Sequence, residues 1–357
     1  MKFGVFNAPY AAPELPFHEV IDWNLQVARW ADELGFDEIW FAEHYTTGWQ
    51  NSPAPEIMIA AAARETERIT LAAGAHLVPY QHPAALAYRV MALDHLTRGR
   101  YIAGVGAGAY PLDQKLFGTA GKNSEMLVEG LDIMAKIWKG EPFRHEGTFH
   151  TVEYPAYDSF FAGPALRPYQ TPHPPITIAG SSPNSASFAI AGERGFYPLS
   201  FAKSPEHLHA QWEGYAAAAE RGGHVADRAN WRVCREVFVA DTDAEAVELA
   251  TTGLMGRFYN EHMIQVYQRG GGSLVPGHAP EEVDAELLAN TVWLVGSPST
   301  VAEKIEREYT QAGGFGTLIA FDFNYADRPE AYRRSLELLM TEVAPKVAHL
   351  GGSVLPA

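Results

Sequence analysis

The chain has 357 residues, 47% of them hydrophobic, enough for one large α/β barrel or two smaller domains around a sizeable core. It carries 27 Lys+Arg against 43 Asp+Glu, a net charge of -16, which argues against nucleic acid and against anionic membrane surfaces as partners. A single cysteine, Cys234, excludes an internal disulfide, and no apolar run is long enough for a membrane span or a leader, so a cytoplasmic protein is expected.

In chain order, residues 2–6 read as a short apolar strand. Val20, Trp23, Val27, Trp30 and Leu34 then recur at three and four residues, a helix that Gly35 stops. Residues 37–42 are the second strand, ending in Glu43-His44. Strands three to eight are expected at 70–77, 101–106, 176–179, 196–201, 232–240 and 316–321. Helical patterns fall at 18–34, 55–67, 83–96, 124–138, 184–193, 205–221, 243–264, 299–312 and 330–348. Strand then helix, eight times, predicts an α/β chain folded as one (β/α)8 TIM barrel over 1–357. The length exceeds the usual ~250 residues, so insertions are expected. They are placed at about 140–175, rich in Pro, His and aromatics, and about 265–290. The second, with Gly270, Gly271, Gly272 and Gly277, reads as a mobile lid over the barrel mouth.

The C-terminal ends of barrel strands are where sites are built. Glu43 and His44 stand at such an end, as a base and its orienter or as hydrogen-bonding groups for a polar cofactor; the plainer reading is a capping or rim pair. The run from Gly104 to Ala109 formally fits G-x-G-x-x-G/A. However, Tyr110-Pro111 follows instead of an immediate helix, and no acid closes the next strand. Gly106, Ala107 and Gly108 are better read as a loop that lets backbone approach a flat ligand. Gly180-Ser181-Ser182-Pro183 combines helix N-terminal amides with small hydroxyls, a phosphate site; capping by Ser182 would explain only one serine. Phe6, Tyr10, Phe41, Tyr45, Trp49, Tyr80, Tyr110 and Phe201 fall at or just after strand ends, which suggests an apolar pocket, with His76 and His82 near it. His207 and His209 are two apart on a helix and face different ways, and no metal-ligand spacing occurs, so no metal is expected.

With these motifs the chain resembles the bacterial luciferase-like, flavin-dependent monooxygenase family over nearly its whole length. The resemblance rests on Met1-Lys2-Phe3-Gly4, Gly35-Phe36-Asp37 with Trp40 and Glu43-His44, and Pro79 with His82-Pro83. It continues through Leu93-Asp94-His95-Leu96-Thr97-Arg98-Gly99-Arg100, Phe117-Gly118 with Asn123-Ser124, Ala179-Gly180-Ser181-Ser182 and Val295-Gly296-Ser297-Pro298. The first hundred residues are similar to the luciferase α chain.

The resemblance implies a two-component monooxygenase. Reduced FMN would come from a separate NAD(P)H-driven flavin reductase, O2 would add at flavin C4a, and the peroxide would oxygenate a small apolar substrate. It implies catalytic roles for His44 and Glu43. The isoalloxazine would lie against Ala73, Gly74 and Ala75, with a cis Gly74-Ala75 bond, and Gly106, Ala107, Gly108 and Tyr110 beside it. The phosphate would sit at Gly180, Ser181 and Ser182, at a helix opening at Pro183. Phe6, Tyr10, Tyr45, Trp49, His76 and Phe201 would line the substrate pocket, and a homodimer is implied. Where the luciferase branch has a cysteine and an arginine, this chain has Gly106 and Ala107. Its second histidine is Tyr45, and its phosphate-site acid is Gly180. These departures argue against light emission and leave flavin binding to backbone and hydroxyls. The alternatives on the same fold are an F420-dependent oxidoreductase and a non-catalytic flavin-binding subunit; retention of Glu43 and His44 argues against the latter.

Overall fold

The computed structural model describes residues 1–158, 160, 165–201, 204–269, 273–275 and 277–351. Its centre is one parallel sheet of eight long strands. These are β1 (Lys2–Tyr10), β2 (Glu38–Phe41), β3 (Thr70–Ala73), β4 (Tyr101–Gly106), β5 (Ile176–Gly180), β6 (Tyr197–Ser200), β7 (Arg232–Arg235) and β8 (Thr317–Phe323). The order is β3-β2-β1-β8-β7-β6-β5-β4. Leu71 pairs with Tyr101 and Ala72 with Ile102, so β3 returns to β4 and the ring closes. A short segment, His76–Leu77, prolongs β3 along β4. The expected (β/α)8 barrel is therefore present.

Side chains alternate across each strand, and the alternation sorts the core. Phe6, Trp40 and Phe321 are in the inward phase: the Phe6 ring stacks on Trp40 at 6.4 Å and meets Phe321 at 5.6 Å. Glu38 and Arg232 share that phase and form a bidentate pair inside the barrel, at 2.9 and 2.6 Å. Asn7 and Asp322 are in the outward phase. They hydrogen-bond each other at 2.6 Å and reach Asn24 and Trp23 of the helix Phe17–Leu34. That helix buries Val20, Trp23 and Val27 of the expected stripe together with Ala28 and Ala31, while Trp30 and Leu34 are partly buried. Among the described residues no helix is long and apolar enough to cross a membrane.

Three expectations are corrected in detail. The run 232–240 is two strands: the chain leaves the barrel at Glu236, and Val237–Val239 pairs with Leu294–Gly296 outside it. The helix expected at 243–264 is broken into Asp243–Thr252 and Leu254–Phe258, followed by a π-helical turn, Tyr259–Met263. The insertion at 140–175 contains an antiparallel hairpin, Phe143–Glu146 with Thr151–Tyr154. Glu129 holds its turn by accepting from the Thr148 and His150 N–H groups at 2.9 and 2.7 Å.

The described part of 265–290 is packed: helices Ile264–Arg269 and Ala285–Thr291 frame it, and Leu274, Val275 and Val283 are buried. The expectation of a lid rests mainly on Gly270, Gly271 and Gly272, which lie outside the described residues.

Candidate active site

His44 sits just beyond β2, at the C-terminal mouth. Its backbone pairs with Ser52, which fixes the chain after the strand. The imidazole is inside the protein, with the edge of one ring against the other at Tyr110, 4.8 Å between centroids. Its Nδ1 is buried and meets no partner among the described residues. Burial lowers its pKa to about 4 against the opposing charge of Asp113, so it is neutral at pH 7. A buried imidazole nitrogen without a partner is costly unless a ligand satisfies it.

Asp113 is a site residue that sequence reasoning missed. It accepts from the Thr46 N–H at 2.8 Å, the Thr46 hydroxyl at 2.5 Å and the Tyr45 N–H at 3.4 Å. It thereby clamps the turn that carries His44. The available signal was its place in the first turn of the helix Pro111–Leu116, within the loop region already suspected.

Glu43 and His44 are not a base and its orienter. Glu43 accepts from the Tyr45 hydroxyl at 2.6 Å, the Leu77 N–H at 2.9 Å and Gln81 at 3.4 Å, and none of these partners is His44. Burial raises its pKa to about 7, against the lowering effect of the Tyr45 and Leu77 bonds. Its place is behind the mouth, tying β2 to the segment beyond β3. Tyr45 goes with it: its ring packs on Phe117 at 4.7 Å and Tyr80 at 6.1 Å. His76, expected in the pocket, is fully buried elsewhere, at 2.6 Å from the Tyr101 hydroxyl and near Glu56 of the outer helix Pro55–Glu65. Phe41 is core, and Tyr80 stacks on Phe117 at 4.4 Å. Phe41 and His76 are paired in strands and fall in the outward phase, whereas Tyr45 and Tyr80 lie past strand ends, where the alternation lapses.

The small-residue bed is assembled as expected. The Gly74-Ala75 peptide is cis. Gly74 lies against Phe6, where a Cβ would stand 2.6 Å from the ring. Ala75 and Leu77 border Gly106 at 3.4 Å from where its Cβ would be. Gly108 has φ +81° and faces the Tyr80 hydroxyl, a position closed to a side chain. Asn123 donates to the Ala107 and Gly108 carbonyls at 3.1 and 3.0 Å and holds that loop.

The helix after β5 opens at Ala186, with Ser185 as N-cap, and not at Pro183. Gln211 ties down the intervening turn through the Gly180 and Ser182 carbonyls, at 3.2 and 2.9 Å. Ser181 and Ser182 are exposed, and no described residue engages either hydroxyl. Small residues at β3 and β4, an unpartnered imidazole and unengaged hydroxyls beyond β5 fit a flat cofactor with an anionic tail.

Aromatic rings wall the mouth. Phe6 meets Phe201 at 5.2 Å, and Phe201 stacks on Phe321 at 5.8 Å. Tyr10 packs on Phe258 at 4.4 Å and Phe323 at 4.8 Å, and Trp49 meets Phe258 at 5.7 Å. Two polar residues in this wall escaped the sequence reading. Gln50, buried, accepts from the Tyr110 hydroxyl at 2.6 Å and lies beside Tyr10. Glu236, just past β7 and in phase with inward Arg232 and Cys234, accepts from the Tyr259 hydroxyl. Its period-two spacing from Arg232 was legible; that β7 ends there was not.

A luciferase-like monooxygenase family model matches residues 1–315. The chain is 38% identical to the 3,6-diketocamphane 1,6-monooxygenase of Pseudomonas putida, covering 97% of this chain and 98% of that protein. It is 29% identical to the limonene 1,2-monooxygenase of Rhodococcus erythropolis, over 100% of this chain and 88% of that one. Among solved structures it is similar to a type II Baeyer–Villiger monooxygenase, the oxygenating constituent of 3,6-diketocamphane monooxygenase from Pseudomonas putida, in complex with FMN. The TM-score is 0.92 at 39% identity, over 97% of this chain and 98% of that one. The fold, the mouth residues and these likenesses agree, and the chain belongs to the luciferase-like monooxygenase family.

Proposed function

We propose that this chain is the oxygenase component of a two-component, FMN-dependent monooxygenase whose substrate is an apolar ketone, oxygenated by Baeyer–Villiger insertion. The observation that carries this reading is His44, a neutral imidazole with an unpartnered buried Nδ1 at the mouth of the barrel. The family relationship and the diketocamphane relatives support the ketone. Ala73, Gly74, Ala75 and Gly106 would bed the ring system, with Ala107, Gly108 and Tyr110 at its edge. Ser181 and Ser182 would hold the phosphate. When bound, reduced FMN supplies two electrons and activates O2. One oxygen atom enters the ketone as an ester or lactone, and the other leaves as water.

The chain's own part is to bind, orient and shield. His44 can accept or pass a proton at Nδ1 without carrying a charge of its own at rest. The wall of Phe6, Phe201, Phe258 and Phe321 keeps water from the reacting atoms. Between Ile178 and Ala186 there is no Lys or Arg, which suits the single phosphate of FMN better than the longer anionic tail of F420. A separate NAD(P)H-driven reductase is the expected source of reduced flavin. A homodimer would cover exposed apolar side chains such as Leu112 and Leu116, four apart on one short helix.

The test uses the purified chain with FMN, NADH, a flavin reductase, 18O2 and a bicyclic ketone. A lactone carrying one 18O atom is expected. A panel of apolar ketones that all return unlabelled and unchanged would overturn the reading.

A further inference from the structure

The polar groups of the mouth form one row. The Tyr110 hydroxyl donates to the Gln50 carbonyl oxygen at 2.6 Å. That leaves the Gln50 amide N–H free for the oxygen of the neighbouring Tyr10 hydroxyl. Each hydroxyl has one proton to give, and among the described residues nothing accepts the proton of Tyr10. Glu236 lies nearby, with Oε1 already taken by the Tyr259 hydroxyl. The Tyr10 ring cannot swing away from this place, because Phe258, Phe323 and Phe321 hold it at 4.4, 4.8 and 5.8 Å. Burial, with Tyr110 and Glu236 close by, pushes the Tyr10 pKa far above its ordinary value, so the proton stays on.

We propose that Tyr10 is the hydrogen-bond donor for the substrate's carbonyl oxygen, aimed by Gln50 and backed by the Glu236–Tyr259 pair. This rests on the ketone reading above. The position suits the chemistry. Tyr10 stands on β1 beyond Phe6, the residue that underlies Gly74, and the row from Tyr10 through Gln50 to Tyr110 ends on the His44 ring. A nucleophile added to a ketone carbon drives charge onto the carbonyl oxygen. A fixed donor at that oxygen stabilises the transition state more than the ground state. Phe258, Phe321 and Phe323 around it carry no donor, so the oxygen would select this end of the pocket and the hydrocarbon frame the other. Tyr10 is then a catalytic residue, and Gln50 a positioning residue.

The experiment uses the holoenzyme with oxidised FMN and norcamphor carrying 13C at its carbonyl. The infrared C=O stretch of the bound ketone is expected at lower wavenumber in the wild type than in Tyr10→Phe. Gln50→Leu, which keeps the hydroxyl but frees its direction, should give a broadened, intermediate band. In turnover, Tyr10→Phe should lower kcat on the order of 10²-fold, with KM changed by less than about threefold. A bound-ketone band at the same position in wild type and Tyr10→Phe overturns the assignment while leaving the monooxygenase reading intact. Absence of oxygenation of any ketone by the wild type would instead remove the ketone reading, and this assignment with it.

Discussion

His44 and Glu43 are adjacent in the chain but face different neighbours, and their titrations pull stability in opposite directions. Burial holds His44 near pKa 4 and His76 near 3, against 6.5 when unfolded. The unfolded chain therefore binds more protons as pH falls below 6.5, and the stability these histidines cost grows down to about pH 4 for His44 and about pH 3 for His76. Burial raises Glu43 and Asp322 to about 7, from 4.5 and 3.8 when unfolded. There the folded chain binds the protons first. The stabilisation is complete below the unfolded values and is lost as pH rises through 7. Between pH 4.5 and 6.5 the two pairs oppose, so a shallow wild-type profile is expected. His44→Asn removes one histidine from the balance. Urea denaturation at pH 6.5 and 4.5 should then show the variant gaining relative stability on acidification, and an unchanged slope would refute the burial of a neutral His44. The same variant should lose about 10²–10⁴-fold in oxygenated product while FMN affinity stays within about threefold.

At the scale of elements, the loop from Gly180 to Ser185 is the piece whose role most needs testing. It presents two hydroxyls that no described residue engages, and Gln211 and the Phe201 N–H hold it through its carbonyls. Hydrogen bonds to a charged group contribute about 1.5–3 kcal/mol each, so Ser181→Ala with Ser182→Ala should weaken FMN binding at least about tenfold. Riboflavin, which lacks the phosphate, should bind both proteins alike in a fluorescence titration, and inorganic phosphate should compete with FMN in the wild type only. Equal losses for FMN and riboflavin would place the phosphate elsewhere. The β2 end behaves differently. Glu43 gathers three donors, from Tyr45, Leu77 and Gln81, and so joins two strand ends. Glu43→Leu should cost about 1–3 kcal/mol for the buried donors it strands, read as a lowered urea midpoint.

Across the whole molecule, the Arg232–Glu38 pair spans the barrel interior from β7 to β2, with Glu38 also accepting from the Trp40 indole at 3.1 Å. Breaking such a pair leaves a buried charge alone, and Glu38→Gln should destabilise by about 3–5 kcal/mol in chemical denaturation. Replacing both partners by Met should be far milder, because no charge is then left without its counterpart. If the exposed Leu112 and Leu116 meet a second copy, sedimentation should give twice the 39.2 kDa of the chain, and Leu112→Glu with Leu116→Glu should return it to one.

The barrel was legible because its signal is repetitive and local. Eight apolar runs alternating with 3.6-residue stripes admit few other folds. The Gly74-Ala75 cis bond was expected from the family resemblance, and the structure has it. Tertiary structure alone decided which strand-end residues share a face. Tyr45 turns to Glu43, Tyr80 and Phe117, while Gln50 and Glu236, without any motif of their own, turn to the mouth. The physical reason is that alternation governs a residue only while it is paired in a strand. Past the last ladder bond, direction is set by whichever distant donor or ring lies within reach, and such partners are tens or hundreds of residues away in sequence.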